Sequence, residues 1–119
     1  QPTHIAMEAP FIGRMSQTTK ILFGLRAAVM GLAHWHGLNI VECSIKEVRQ
    51  HFTGQAGLKS KEAKQAVYDR AIELGWLPKT KDESDAMAVW SYRASQLDLS
   101  HSHATMRLMY EKQQRGATP

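Results

Sequence analysis

Cysteine is nearly absent from this chain of 119 residues, which holds one, Cys43. A lone thiol forms no internal disulfide and supports no cysteine-based zinc site, so a reducing, cytoplasmic setting is expected. Four prolines and eight glycines are too few for a collagen-like or low-complexity chain. No run approaches the ~18 uninterrupted apolar residues of a membrane-spanning helix, so no membrane partner is expected. The opening Gln1–Pro10 lacks the basic start and apolar stretch of a secretory signal. Neither charge sign dominates: 15 Lys and Arg stand against 11 Asp and Glu, a net +4 with neutral histidines. That excess is compatible with a polyanionic partner without requiring one. What is present, 43% hydrophobic residues including three tryptophans, is too apolar for disorder. The length suits a single domain over residues 1–119, with 100–119 as a peripheral or frayed tail.

The first segment, Thr3 to Ala9, is short, apolar and bracketed by Pro2 and Pro10, as a buried strand is. Its acid, Glu8, stands out because a carboxylate ending a buried strand is costly unless a cation meets it. From Gln17 to Trp35, Ile21, Leu22, Leu25, Val29 and Leu32 recur at helical spacing, with Ser16 or Thr18 as cap and Gly37 as stop. Gly24 and Gly31 lie on nearly one face of that helix, where a neighbouring backbone can approach closely. Leu38–Cys43 reads as a second strand, which completes a parallel strand–helix–strand crossover.

A short helix from Ile45 to Phe52 is predicted next, then a glycine-flanked loop. A helix capped by Ser60 follows, with Ala63, Ala66, Val67, Ala71 and Leu74 on its buried stripe and Gly75 as its stop. Asp82 is predicted to open a further helix running to about Leu97. Met106, Leu108 and Met109 suggest a last short one.

Asp82-Glu83-Ser84-Asp85-Ala86 is the most informative stretch. Acids in a first helical turn are ordinary partners of the helix dipole. Asp82 and Asp85, however, stand at i and i+3 on one face, which continues into the apolar stripe through Ala86 and Val89. Acids on a buried side need a counter-ion, and a divalent cation is one solution. Glu83, one position round, is expected to face solvent. Between Arg49 and Lys81 lie seven basic residues, among them Lys59, Lys61 and Lys64. They are read either as a solvated helix face or as a phosphate-binding patch.

The order of these features resembles the RNase H-like nucleases, and specifically the RuvC-type Holliday-junction resolvases. Ala6-Met7-Glu8-Ala9-Pro10-Phe11 resembles their acidic strand, and Val48-Arg49-Gln50-His51-Phe52-Thr53-Gly54 their short helix ending at a glycine. Ser60-Lys61-Glu62-Ala63 resembles the start of their next helix, and Asp82-Glu83-Ser84-Asp85-Ala86-Met87-Ala88-Val89 their closing Asp-x-x-Asp-Ala-x-Ala motif. The resemblance runs from about Ile5 to Arg93.

It implies an α/β fold of RNase H-like type, here partial. By it the chain opens on what would be the fourth strand, without the first strand and its Asp-x-Gly-like turn, so this chain alone is expected to be inactive or slow. It also implies metal-dependent hydrolysis of phosphodiester bonds in branched DNA such as Holliday junctions, by a homodimer. Glu8, Asp82 and Asp85 would be both catalytic and metal-holding, with Mg²⁺, or Mn²⁺ in its place, as cofactor. Arg49, Lys59, Lys61 and Lys64 would face the DNA backbone, and Phe11 would wedge or stack at the junction. No lysine is expected among the three acids. The alternative is a non-catalytic DNA-binding or assembly module that keeps the fold.

Other residues read as structural. His34 with His36, and His101 with His103, are spaced so that their rings point apart on a helix, which disfavours chelation. His51 and the buried Cys43 are expected to be inert, and Trp35, Trp76 and Trp90 to belong to the core.

Overall fold

A computed structural model describes residues 2–10 and 16–98. Phe11 and the tail 100–119, including the suggested last helix and His101 and His103, lie outside the described residues. The chain forms two compact units, Gln1–Ser44 and Ile45–Pro119. Among the described residues no helix is long and apolar enough to cross a membrane.

The first unit is the strand–helix–strand element expected from the sequence. Strand β1 (His4–Glu8) pairs in parallel with β2 (Asn39–Cys43), in a register that sets His4 opposite Asn39 and Glu8 opposite Cys43. One more bond, from the Ala9 N–H to the Cys43 carbonyl at 2.8 Å, extends the ladder past the strand end. Helix α1 (Gln17–Trp35) makes the crossover. Ser16 caps it, its hydroxyl accepting the Thr19 N–H at 3.1 Å.

Gly37, at φ +64, ends α1. Its N–H meets the His34 carbonyl, and the Leu38 N–H meets that of Ala33 at 2.9 Å. That is the paired terminal bonding which a left-handed residue permits.

The apolar residues of α1 do not form a core. Ala33 is the helix's buried residue, while Leu32 is 62% and Trp35 85% exposed, because two strands offer little surface to cover a helix of five turns. A Cβ built on Gly24 or Gly31 meets nothing within 4 Å, so the close approach expected there is not made among the described residues.

Among the described residues the second unit packs three helices, α2 (Ile45–Thr53), α3 (Ser60–Glu73) and α4 (Lys81–Leu97). Val48 and Phe52 of α2, Val67 and Ala71 of α3, and Ala88 and Val89 of α4 form its core. Phe52 stacks at 5.8 Å on Trp76, which meets Trp90 edge-on at 5.9 Å. Trp90 nonetheless stays 59% exposed, so neither it nor Trp35 is the core residue that its apolar neighbourhood suggested.

Two helix starts differ from expectation by one position or two. Lys59, not Ser60, is the N-cap of α3. Thr80 caps α4, its hydroxyl accepting the Glu83 N–H at 3.1 Å, and this places Asp82 inside the first turn. Gly75, at φ +77, ends α3 as predicted.

Candidate functional site

The basic residues of α2 and α3 meet the acids of α4. Asp85 sits one turn into α4 with its side chain 10% exposed. Such a carboxylate cannot stay charged without partners. Arg49, on α2 and 13% exposed, supplies them in a two-pronged contact, Nε to Oδ1 at 3.1 Å and Nη2 to Oδ2 at 2.8 Å. The planar guanidinium matches the two carboxylate oxygens, which an ammonium cannot do. Arg49 Nη1 also donates to Ser60 Oγ at 3.4 Å, so one side chain touches all three helices.

Lys64 of α3 completes the group. Its Nζ lies 2.5 Å from Asp82 Oδ1 and 3.9 Å from Asp85 Oδ2. Asp82 is 88% exposed. The hydrogen bond from Lys64, helped by its charge, holds the Asp82 carboxyl below the ordinary aspartate range. The expectation that no lysine stands among the acids is therefore corrected. Helical spacing does put Asp82 and Asp85 side by side, but the packing of α3 against α4 also brings Lys64 onto them.

Glu83 points away, as expected, and its Oε2 accepts the Lys79 N–H at 2.6 Å. Lys59 and Lys61 are exposed at the start of α3. Glu8 ends β1 on the exposed side of its strand, not buried as the apolar segment suggested. It borders an apolar groove between β1 and α1, with Leu22, Phe23 and Arg26 among the lining residues. Arg26 is ion-paired to Glu42 of β2. Within either unit, no three His, Cys, Asp or Glu side chains gather as a metal site among the described residues.

His51 is half-buried with its Nε2 at 3.4 Å from Ser95 Oγ and its ring edge-on to Tyr92 at 5.3 Å, a packing role. Cys43 is buried. Sequence reading missed the partnership of Arg49 with Asp85. The sole signal for it is indirect: a buried acid demands a cation, and Arg49 is the basic residue of α2 one position from buried Val48.

Comparison with known proteins agrees with the resemblance. The chain is 33% identical over 89 residues to the crossover junction endodeoxyribonuclease RuvC of Chlorobium chlorochromatii (strain CaD3), which covers 75% of this chain and 46% of the relative. It is 32% identical over the same length to RuvC of Chlorobium phaeovibrioides (strain DSM 265 / 1930), with 47% of that protein covered. To RuvC of Dehalococcoides mccartyi (strain ATCC BAA-2266 / KCTC 15142 / 195) it is 28% identical, covering 53%. The chain thus spans about half the length of the curated relatives it matches. No protein-family model matches it, and no solved structure does.

Proposed function

We propose that this chain, RuvC-like over three quarters of its length, carries the closing acid pair and part of the DNA-binding surface of a structure-selective endodeoxyribonuclease. Its substrate would be branched DNA such as a Holliday junction, its cofactor Mg²⁺ or Mn²⁺, and its fold a portion of an RNase H-like domain. The observation that carries this reading is the single cluster in which Asp82 and Asp85 meet Arg49 and Lys64. A nuclease needs acids to hold a hard cation and bases to hold the scissile strand, at one place.

The donor chemistry of the acid pair fits such a cation. Carboxylate oxygens are the ligands that Mg²⁺ prefers, and Asp82 offers its own almost fully to solvent. When bound, the metal would lower the pKa of a water and stabilise the leaving oxygen. The residues of the chain do the rest. Asp82 and Asp85 would hold the cation, while Arg49 and Lys64 beside them would balance the charge of the phosphates. Lys59 and Lys61 add sequence-independent contacts to the backbone.

A homodimer is part of the same proposal, with the bare face of α1 as the surface between copies. Six large apolar residues of that helix, from Ile21 to Trp35, are between 39% and 85% exposed. Such a stripe on a soluble chain calls for cover.

One observation favours a second reading, a DNA-binding or assembly module without catalysis. Arg49 meets both oxygens of Asp85 in the two-pronged geometry of a structural ion pair.

Cleavage of a synthetic four-way junction in Mg²⁺ separates the two readings. The chain alone is expected to cut slowly or not at all. Joined to the remaining part of the Chlorobium chlorochromatii relative, it should cut, and Asp85→Asn should abolish the cutting. Binding without cleavage by the joined protein would favour the module. Robust cutting by the bare chain that survives both Asp82→Asn and Asp85→Asn would refute the site.

A further inference from the structure

The exposed side of α4 carries an apolar corner that the cluster around Asp85 does not use. Trp76, in the turn after α3, and Trp90 of α4 stand edge-on at 74°, with ring centroids 5.9 Å apart. Ala86 and Met87 complete the walls of the hollow beside them. Phe52, itself buried and 5.8 Å from Trp76, backs that indole from within. The corner is therefore anchored on the core of the second unit, yet Trp90 is 59% exposed and Leu77, next to Trp76 in sequence, 80%. Fixed tryptophans with a methionine beside them, open to water, have the make-up of an anchor pocket at a protein interface.

The charges around the corner select the partner. Lys79, three residues after Trp76, is exposed, and Arg93, one turn along α4 from Trp90, donates from Nη1 to Gln96 at 3.1 Å. Neither meets a carboxylate among the described residues. The acids nearest in sequence are already engaged. Glu83 accepts the Lys79 N–H at 2.6 Å, and Glu73 pairs with Arg70 at 3.5 Å. An apolar seat flanked by two cations without counter-charges complements an apolar group flanked by acids.

The lining chooses between the anionic polymers that could bring such a group. A nucleobase set among Ala86, Met87 and two indoles would press its polar edge against hydrocarbon and leave it unmet. A Leu or Phe side chain has no polar edge to satisfy.

We propose that this corner docks an acidic peptide segment of a partner protein. A Leu or Phe side chain of that segment sits against Trp76, Met87 and Trp90, and its carboxylates stand against Lys79 and Arg93. The inference goes beyond the nuclease reading and does not depend on it, since it uses neither Asp85 nor the cations that meet Asp85.

The test is an amide-resolved NMR titration of the whole chain with three synthetic peptides, each acetylated and amidated. The first is Glu-Asp-Glu-Phe-Leu-Glu-Asp. The second replaces its acids by Gln and Asn, and the third replaces Phe and Leu by Ser. The first should shift amides of residues 76–79 and 86–93 and bind more weakly as salt rises. The other two should bind several-fold more weakly than it does. Ala86→Glu, at an exposed helical position, should abolish binding with the fold intact in the spectrum. Lys79→Gln and Arg93→Gln should each weaken it several-fold, and Lys20→Gln on α1 should not.

No binding of the first peptide, or equal binding of all three, would overturn the proposal. So would binding that survives Ala86→Glu. Shifts at 76–79 and 86–93 with a single-stranded oligothymidylate but with none of the peptides would make the corner a nucleic-acid surface instead. Shifts there that grow with the concentration of the chain alone would assign it to a second copy. Amides of residues 100–119 that move on Ala86→Glu, with no peptide bound by the wild type, would assign it to the chain's own tail.

Discussion

Arg49 and Asp85 are 36 residues apart in sequence and join α2 to α4 through two hydrogen bonds, at 3.1 and 2.8 Å. Both are nearly closed to solvent, at 13% and 10%. The pair has two roles in tension. It ties the second unit together, and it occupies the acid that the proposed chemistry needs for a cation.

The structural role has a measurable size. Removing one member of a buried ion pair strands the other and costs about 3–5 kcal/mol, less where a second partner remains. Lys64, 3.9 Å from Asp85, is such a partner. Arg49→Met is therefore expected to destabilise the chain by about 3 kcal/mol in urea unfolding, the low side of that range. Asp85→Asn combined with it should cost clearly less than the two single changes added. Additive losses would show that the pair is not coupled.

The elements were legible in the sequence because their signals are local. Ser16, Gly37 and Gly75 act within a turn of their helix ends, and the structure puts helix ends there. Asp82 was a misleading helix start because an acid in the first turn resembles a cap, whereas the Thr80 hydroxyl makes the capping bond. The acid pair was legible for the same local reason, the i, i+3 spacing. Its cations were not. Arg49 and Lys64 reach Asp85 through tertiary packing of three helices, and no periodicity within one helix encodes that. The exposure of Leu32 and Trp35 was hidden likewise, since spacing shows that a helix has an apolar face but not what covers it.

Asp82 carries a pH signature. Lys64 holds its carboxyl below the ordinary aspartate range, so folding is favoured above the unfolded-state pKa, about 3.9, and that contribution disappears as pH falls through the lower folded value. The exposed position screens the effect and keeps it small. In a carboxyl-detected NMR titration of the metal-free chain, Asp82 should titrate below the usual range, and Lys64→Gln should return it there. A midpoint unmoved by Lys64→Gln would remove the lysine as the cause.

The exposed stripe of α1 predicts self-association. Leu25 is 60% and Leu32 62% exposed, one turn apart from Val29 on either side. Charges placed there would have to be buried between copies, at a cost of several kcal/mol. Light scattering after size exclusion should show a dimer for the wild type and a monomer for the variant carrying Leu25→Glu and Leu32→Glu. Circular dichroism should show unchanged helix in both. A wild-type monomer at high micromolar concentration would rule out α1 as the dimer surface.

The last prediction concerns competition for the acids. A divalent ion that uses Asp82 must displace the ammonium of Lys64, which lies 2.5 Å away. Binding to the bare chain is therefore expected to be weak, and weakened by the chain's own charge, not by lack of ligands. Removing that competitor has the opposite effect from removing a ligand. Lys64→Gln should tighten Mn²⁺ binding several-fold, and Asp82→Asn should loosen it below detection. The readout is paramagnetic broadening of amides near residues 82 and 85, which needs no catalysis. Because Lys64 also lies 3.9 Å from Asp85, the gain should shrink when Asp85→Asn is combined with Lys64→Gln. Broadening in the wild type that is unaffected by any of these changes would place the ion elsewhere. Equal loosening by Lys64→Gln and Asp82→Asn would mean that the lysine supports the acid's geometry and does not compete for it.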